Sequence, residues 1–284
     1  MGIVLGLGAA LSWGLVDYLA TLASRRLGSL RVVLGFHVAS TLILAMLVAA
    51  MDALGDVGWG DVPLFVLVGA LGWGAYLAFY RALEIGPISI VSPIVSGYAA
   101  VTVVLSVILL GEALSGLQAS AVVVAFVGVL LTSADLGQIA RIERVRALGL
   151  VLAIAAMILF GGFVLGVASR VDEIGWLAPI FLARTFSAIF VAATAVHMRR
   201  FRIPLRTRIV GALFVIGALD TLGYVCFNVG VRHADTAVVA TASMPYAVVP
   251  VSLGVLMLHE RPTRSQWVGV GLVLLGLVLL GLGS

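Results

Sequence analysis

Lysine is missing from this chain, and all 17 of its basic residues are arginine. Cysteine occurs once, as Cys226, which excludes an intramolecular disulfide and leaves the redox compartment open. Charged residues make up only 11% of the 284 positions, against about 25% in soluble domains, so the chain has too little charge to solvate a globular exterior. HExxH, GxSxG and a phosphate-binding loop are all absent; the usual signs of a metallohydrolase, a serine hydrolase or an internal ATPase are therefore missing. No loop looks long enough to form a soluble domain. The expectation is a protein without catalytic residues, metal site or cofactor.

What the chain has instead is apolar length. Hydrophobic residues are 62% of it and its mean hydropathy is +1.22. A membrane-spanning helix needs about 20 mainly apolar residues. Reading between charged or turn-rich breaks gives ten such stretches, at 3–22, 31–51, 62–82, 88–110, 116–134, 147–169, 176–197, 209–231, 236–258 and 266–283. Met1-Gly2 leads into the first with no basic segment before it, so that stretch is read as a retained helix and not a cleaved signal. Glycine is abundant, at 33 residues, and lets helix backbones approach where no hydrophobic force brings them together.

The ten stretches form two sets of five. Displacing the chain along itself by about 148 residues superposes Tyr76 on Tyr224, Phe79 on Phe227, Tyr98-Ala99 on Tyr246-Ala247, Glu112 on Glu260, Gln118 on Gln266 and Gly128 on Gly276. An odd number of crossings per copy makes the second enter the bilayer from the opposite side. The expected fold is all-α and integral to the membrane, with about ten transmembrane helices as two inverted five-helix repeats: 1–136, a connecting loop at 137–146, and 147–284. Such pairs are common in secondary transporters, which place a substrate site near the midplane between repeats.

The arginines fix an orientation. With ten crossings every interfacial arginine except Arg170 and Arg232 lies on the face reached after an odd number of crossings, while Asp52, Asp56 and Asp61 gather on the other. Cytoplasmic loops retain positive charge, so both termini are expected outside. The basic excess, with a pI near 9.7, is then a matter of topology and not of nucleic-acid binding.

Segments 76–135 and 224–283 resemble the EamA repeat of the drug/metabolite transporter superfamily. Each has a proline-containing apolar helix (Pro93; Pro245 and Pro250), then Leu110-Gly111-Glu112 or Leu258-His259-Glu260, then a Gln-led helix punctuated by glycine. Ser12-Trp13-Gly14 and the stretch at 179–184 resemble the same family. The resemblance covers essentially the whole chain and implies a metabolite transporter of the cell inner membrane, mostly exporting. It departs at Arg184, which aligns with His37 at a displacement one residue shorter, at Pro250, which aligns with Thr102, and at His259, which replaces the glycine before the glutamate.

Glu112 and Glu260 have a plain local reading. Ser115-Gly116-Leu117-Gln118 and Thr263-Arg264-Ser265-Gln266 both match the S/T-x-x-Q capping box. The glutamates just before them are expected to close the turns between helices four and five and between nine and ten.

A charge at the bilayer centre costs roughly 2.5–3.5 kcal/mol even on the gentler scale, which singles out Asp17, His37, Arg184 and Asp220. At about 1.5 Å per residue, Arg184 lies roughly 12 Å from one edge and Asp220 roughly 16–18 Å from the other, so the two reach similar levels. Asp17 and His37 share a level as well. Arg184 is read either as the partner of Asp220 in a structural ion pair or as a cavity group that binds an anion with its rigid fork. The second is favoured, because the resemblance places helix seven beside the cavity. Either aspartate is a candidate proton carrier. His37 and Asn228 are read as helix-packing hydrogen bonders or site residues.

Trp59, Trp176 and Trp267 are placed at the membrane interfaces, whereas Trp13, Trp73, Tyr76, Tyr98, Tyr224 and Tyr246 lie deeper. Tyr98 and Tyr246 are repeat mates, on helices that the resemblance places at the cavity. Gly97 with Pro93 and Pro245 is expected to bend those helices. The substrate or coupling candidates are thus Asp17, His37, Arg184, Asp220, Asn228, Trp13, Trp73, Tyr98 and Tyr246. The leading function is secondary export of a small polar or zwitterionic, amino-acid-like metabolite by alternating access, with protons as a candidate coupling ion. Export of drugs or organic cations stays open, and a non-transporting scaffold or an intramembrane lipid enzyme less readily. The expected partners are the small-molecule substrate and the lipid bilayer, with no nucleic acid; monomer and homodimer both fit.

Overall fold

The computed structural model describes residues 1–86, 88–133, 144–199, 206–249, 252–253 and 264–282. The described residues are helical, with no strand among them. The long helices are α1 (Gly2–Leu27), α2 (Ser29–Met51), α3 (Val62–Ile85), α7 (Arg144–Ala168), α9 (Ala178–His197) and α10 (Thr207–Val231). Shorter are α4 (Ile88–Ser96), α5 (Tyr98–Leu105), α6 (Gly116–Ser133), the single turn α8 (Val171–Ile174), α11 (Thr236–Ser243) and α12 (Arg264–Leu282). Among the described residues six helical segments are long and apolar enough to cross a membrane: Gly2–Leu27, Ser29–Met51, Trp59–Ile85, Leu148–Ile174, Ala178–His197 and Thr207–Val231. The stretches expected at 88–110, 116–134 and 266–283 appear as the shorter apolar helices Ile94–Leu110, Gly116–Gly128 and Trp267–Leu280. The stretch expected at 236–258 is described at 236–249 and 252–253, and the rest of it lies outside the described residues. So do most of the 137–146 loop, residues 200–205, Pro250, His259 and Glu260, and with them the capping interactions of the second box.

Local chemistry sets the helix ends. Gly28, at φ 84°, stops α1 and returns its N–H to Ser24 O at 2.8 Å; two arginines, Arg25 and Arg26, occupy the last turn, where a cation complements the helix dipole. The fourth stretch is not one rod. It breaks at Gly97 between α4 and α5, then widens into a π turn at Ser106–Leu110 that ends on Gly111 at φ 70°. Its mate breaks too, with α11 passing into a 3₁₀ turn at Met244–Ala247 that contains Pro245. The first capping box forms as read: Ser115 N–H donates to Gln118 Oε1 at 2.8 Å, and Gln118 N–H donates to Ser115 Oγ at 3.2 Å.

Glu112 does something different from the expectation. Its two carboxylate oxygens accept the backbone N–H groups of Thr236 and Ala237, each at 2.9 Å. It caps the start of α11 in the other repeat instead of closing its own turn. The cause is the set of free amides at a helix start, which attract an anion.

The packing is that of a two-fold duplication. α1 lies along α10 as its mate α7 lies along α3, and α2 meets α10 as α9 meets α3. Gly69 gives way to Phe186 and Ser187, while Gly217, 148 positions on, gives way to Phe36, Ala39 and Ser40. Mates also meet each other: α6 packs on α12, where Gly128 faces Val273 and Gly276 faces Ala125. Self-paired contacts of this kind mark the local axis.

Candidate functional site

The axis passes through a buried polar cluster. Arg184 on α9 is fully enclosed, and Asp220 on α10 is 1% exposed. Arg184 Nη2 donates to Asp220 Oδ2 at 2.5 Å and to the Tyr76 hydroxyl at 3.0 Å. Tyr76 donates to Asp220 Oδ1 at 3.0 Å and lies 3.0 Å, hydroxyl to hydroxyl, from its repeat mate Tyr224. The guanidinium carbon sits 4.8 Å and 5.1 Å from the centroids of those two rings, a cation–π arrangement that offsets part of the cost of burying charge. Ser40 Oγ donates to Asp220 Oδ2 at 3.4 Å.

His37 closes the cluster on the other side. Its Nδ1 faces Val33 O at 3.0 Å, and its Nε2 lies 3.2 Å from Arg184 Nη1 and 3.1 Å from Ser187 Oγ. A carbonyl can only accept, so Nδ1 carries the proton; Nε2 is then the acceptor for the guanidinium, and the ring is neutral. α2, α3, α9 and α10, two helices from each repeat, are tied at this one point.

Beside the cluster lies a cavity of about 40 Å³. It is walled by aromatic rings, among them Trp13, Phe79, Tyr80, Tyr98, Phe160, Tyr224 and Tyr246, and by Asp17 and Asp220. The rings interlock: Trp13 meets Tyr224 edge-on at 4.9 Å and Tyr98 at 6.1 Å, and the mates Tyr98 and Tyr246 are 6.0 Å apart. Tyr98 and Ser243 are hydrogen-bonded at 2.9 Å, and Tyr246 donates to Ser92 O at 3.2 Å. The volume suits a few water molecules, well below the roughly 300 Å³ of a small-ligand pocket, so the side chains are closed in on one another.

Asp17 is the unusual member. It is 4% exposed and lines the cavity, yet its Oδ2 has no hydrogen-bond partner among the described residues. No basic side chain is among the described lining residues.

The profile of the EamA-like transporter family matches residues 1–134 and 147–282. The chain belongs to that family. A protein of Escherichia coli (strain K12) named probable amino-acid metabolite efflux pump is similar to this EamA-like transporter at 24% identity over 262 residues, which span 86% of this chain and 87% of the relative. A crystal structure of another protein matches 99% of this chain and 96% of its own, with a TM-score of 0.80 at 15% identity; at that identity the likeness is one of fold.

In this EamA-like transporter the candidate residues divide. Asp17, Trp13, Tyr98, Tyr246 and Asp220 line the cavity. Arg184, favoured above as a cavity group, is not among the lining residues; it is fully buried, with Nη2 on Asp220 and Tyr76, Nη1 on His37, and Nε without a partner among the described residues. His37, expected at the level of Asp17, has Val33, Ser187 and Arg184 as its ring partners. Trp73 donates across to Thr194 Oγ1 at 2.9 Å, and Asn228 donates from Nδ2 to Trp176 O at 2.8 Å, holding the connection before α9; neither lines the cavity. Tyr76, Tyr80, Phe79, Phe160 and Tyr224 belong to the cavity wall and were not among the candidates. A signal for Tyr80 existed, since it stands four residues from Tyr76 and thus on the same helix face.

Proposed function

We propose that this chain is a ten-crossing secondary exporter of the cell inner membrane. Its substrate is a small, amino-acid-like metabolite carrying an ammonium group, moved by alternating access through the aromatic cavity between the repeats. The observation that carries this reading is Asp17, a buried carboxylate without a hydrogen bond at Oδ2 in a cavity walled by aromatic faces. Carboxylate plus aromatic faces is the chemistry that recognises a desolvated cation. An unpaired buried carboxylate is costly while charged, so Asp17 is neutralised in turn by the substrate's ammonium or by a proton. Asp220, already held by Arg184, serves with it as a strut of the second repeat that is tied to the first through Tyr76 and His37.

Efflux of an amino-acid-like molecule agrees with the name of the Escherichia coli relative. The Arg-rich face is cytoplasmic and both termini are outside. Two contacts support this parity of crossings: Arg170, after the sixth stretch, pairs with Asp61, before the third, and Glu112, after the fourth, reaches Thr236, before the ninth.

A second reading, export of organic cations, is favoured by the lack of a basic side chain among the described lining residues, since none of these pairs with a substrate carboxylate. Counterflow in proteoliposomes distinguishes the two, because competition by both amino acid and amine marks the first reading and competition by the amine without the amino acid marks the second. Three related competitors are used: an amino acid, the amine left by removing its carboxyl group, and the acid left by removing its amino group. The amine should compete at least as well as the amino acid, and the deaminated acid should not compete. Competition by the deaminated acid alone would overturn the ammonium reading, and absence of flux with any of them would count against transport of this class.

A further inference from the structure

α1 and α10 run together for only part of their length. In one half they touch: Ser12 Oγ donates to Leu219 O at 2.7 Å, and Gly223 leaves room for the Trp13 indole, which a Cβ would approach to 2.4 Å. Toward the Arg-rich face they part, leaving a trough of about 590 Å³. Its walls are apolar, with Leu19 and Leu22 from α1 facing Leu213 and Ile216 from α10, and it includes Arg26 and Arg208. Leu22 and Val215 on its walls are 41% and 48% exposed, so the trough opens on the outside of the bundle. At Gly211, another lining residue, an added Cβ would meet nothing within 4 Å.

The charged residues at this trough are unspent. Among the described residues Arg81, Arg170 and Arg184 have acidic partners, whereas Arg26 and Arg208 form no ion pair. Arg208 stands in the first turn of α10, a helix of 25 residues whose N-cap, Arg206, makes no side-chain cap hydrogen bond. Free amides and the dipole at that end favour an anion. An apolar trough facing the bilayer, with two guanidinium groups and a helix start, has one complementary occupant in a membrane: a molecule with a long hydrocarbon chain and an anionic phosphate head. A neutral lipid would leave both guanidinium groups unmatched, and a free phosphate would leave the trough unfilled.

We propose that the trough between α1 and α10 is a binding site for an anionic phospholipid, whose acyl chain lies along the apolar walls and whose phosphate is held between Arg26 and Arg208. This site is separate from the aromatic cavity and does not depend on what that cavity carries.

The test uses the purified full chain in detergent, titrated with phosphatidylglycerol or with phosphatidylcholine of the same acyl chains, with bound lipid counted by native mass spectrometry. Two surface arginines near an anionic head are worth roughly tenfold to thirtyfold in affinity, so phosphatidylglycerol should bind tighter by about that factor. The preference should collapse in Arg26→Gln/Arg208→Gln. It should persist in Arg25→Gln/Arg206→Gln, which removes two neighbouring charges that do not line the trough. Gly211→Phe, which fills the trough from α10, should abolish tight phosphatidylglycerol binding independently of charge. Equal binding of the two lipids by the wild type would overturn the proposal. So would loss of the preference in the Arg25/Arg206 control, or binding of sn-glycerol 3-phosphate as tight as that of phosphatidylglycerol.

Discussion

Removing one partner of the Arg184–Asp220 pair should be far worse than removing both, and the two single losses should be unequal. In Asp220→Leu the guanidinium keeps only the neutral acceptors Tyr76 and His37 and cannot shed its proton. A stranded buried charge costs about 3–5 kcal/mol, equivalent to a fall in Tm of roughly 6–20 °C for a chain of this size. In Arg184→Met the carboxylate retains the hydroxyls of Tyr76 and Ser40 as donors and can be neutralised by a proton. Its cost should be nearer 1–3 kcal/mol. The double variant replaces the pair with apolar groups of similar bulk, a change that is often neutral, so it should recover most of the loss. The assay is thermal unfolding of the four proteins in one detergent, with membrane yield as a second readout. A double variant no more stable than Asp220→Leu, or an Arg184→Met protein that unfolds before Asp220→Leu, would refute the reasoning.

Three further outcomes follow from particular contacts. Glu112→Ala removes the cap on α11 and should cost about 1–2 kcal/mol, with Glu112→Gln costing less; an unchanged Tm in both would mean that the cap contributes nothing. Gly276→Leu should lower membrane yield and Tm sharply, because even a Cβ there would lie 2.7 Å from Ala125 Cβ, while Gly271→Leu, which faces open space, should be tolerated. A carboxy-terminal reporter that works only in the cytoplasm should stay silent, and bright signal would reverse the orientation while leaving the repeats intact.

The axis of the fold was legible because a duplication writes it into the sequence. Tyr76 and Tyr224 align at a fixed offset, and the structure brings their hydroxyls to 3.0 Å. The similar depths of Arg184 and Asp220 followed from helical rise alone, and they are paired. What could not be read was azimuth. In a soluble helix the polar face points outward, but here lipid-facing and core-facing sides are both apolar, so amphipathicity does not tell which way a residue points. For that reason Asp17 and His37 looked alike, although one lines the cavity and the other backs the ion pair. Glu112 was misjudged on a different ground. Its partners lie 124 and 125 residues away, and a long-range cap leaves no local trace.

The central claim is that Asp17 holds the substrate's cationic group. It is tested most directly by counterflow of a radiolabelled small amine into proteoliposomes bearing wild type or Asp17→Asn, at matched protein density and with unfolding temperatures measured on the same preparations. The account predicts that Asp17→Asn unfolds no earlier than wild type, since the neutral amide stands in for the protonated carboxyl of the empty site, and yet loses amine uptake and its response to an imposed pH gradient. Wild-type uptake with wild-type gradient dependence in the Asn variant would contradict it.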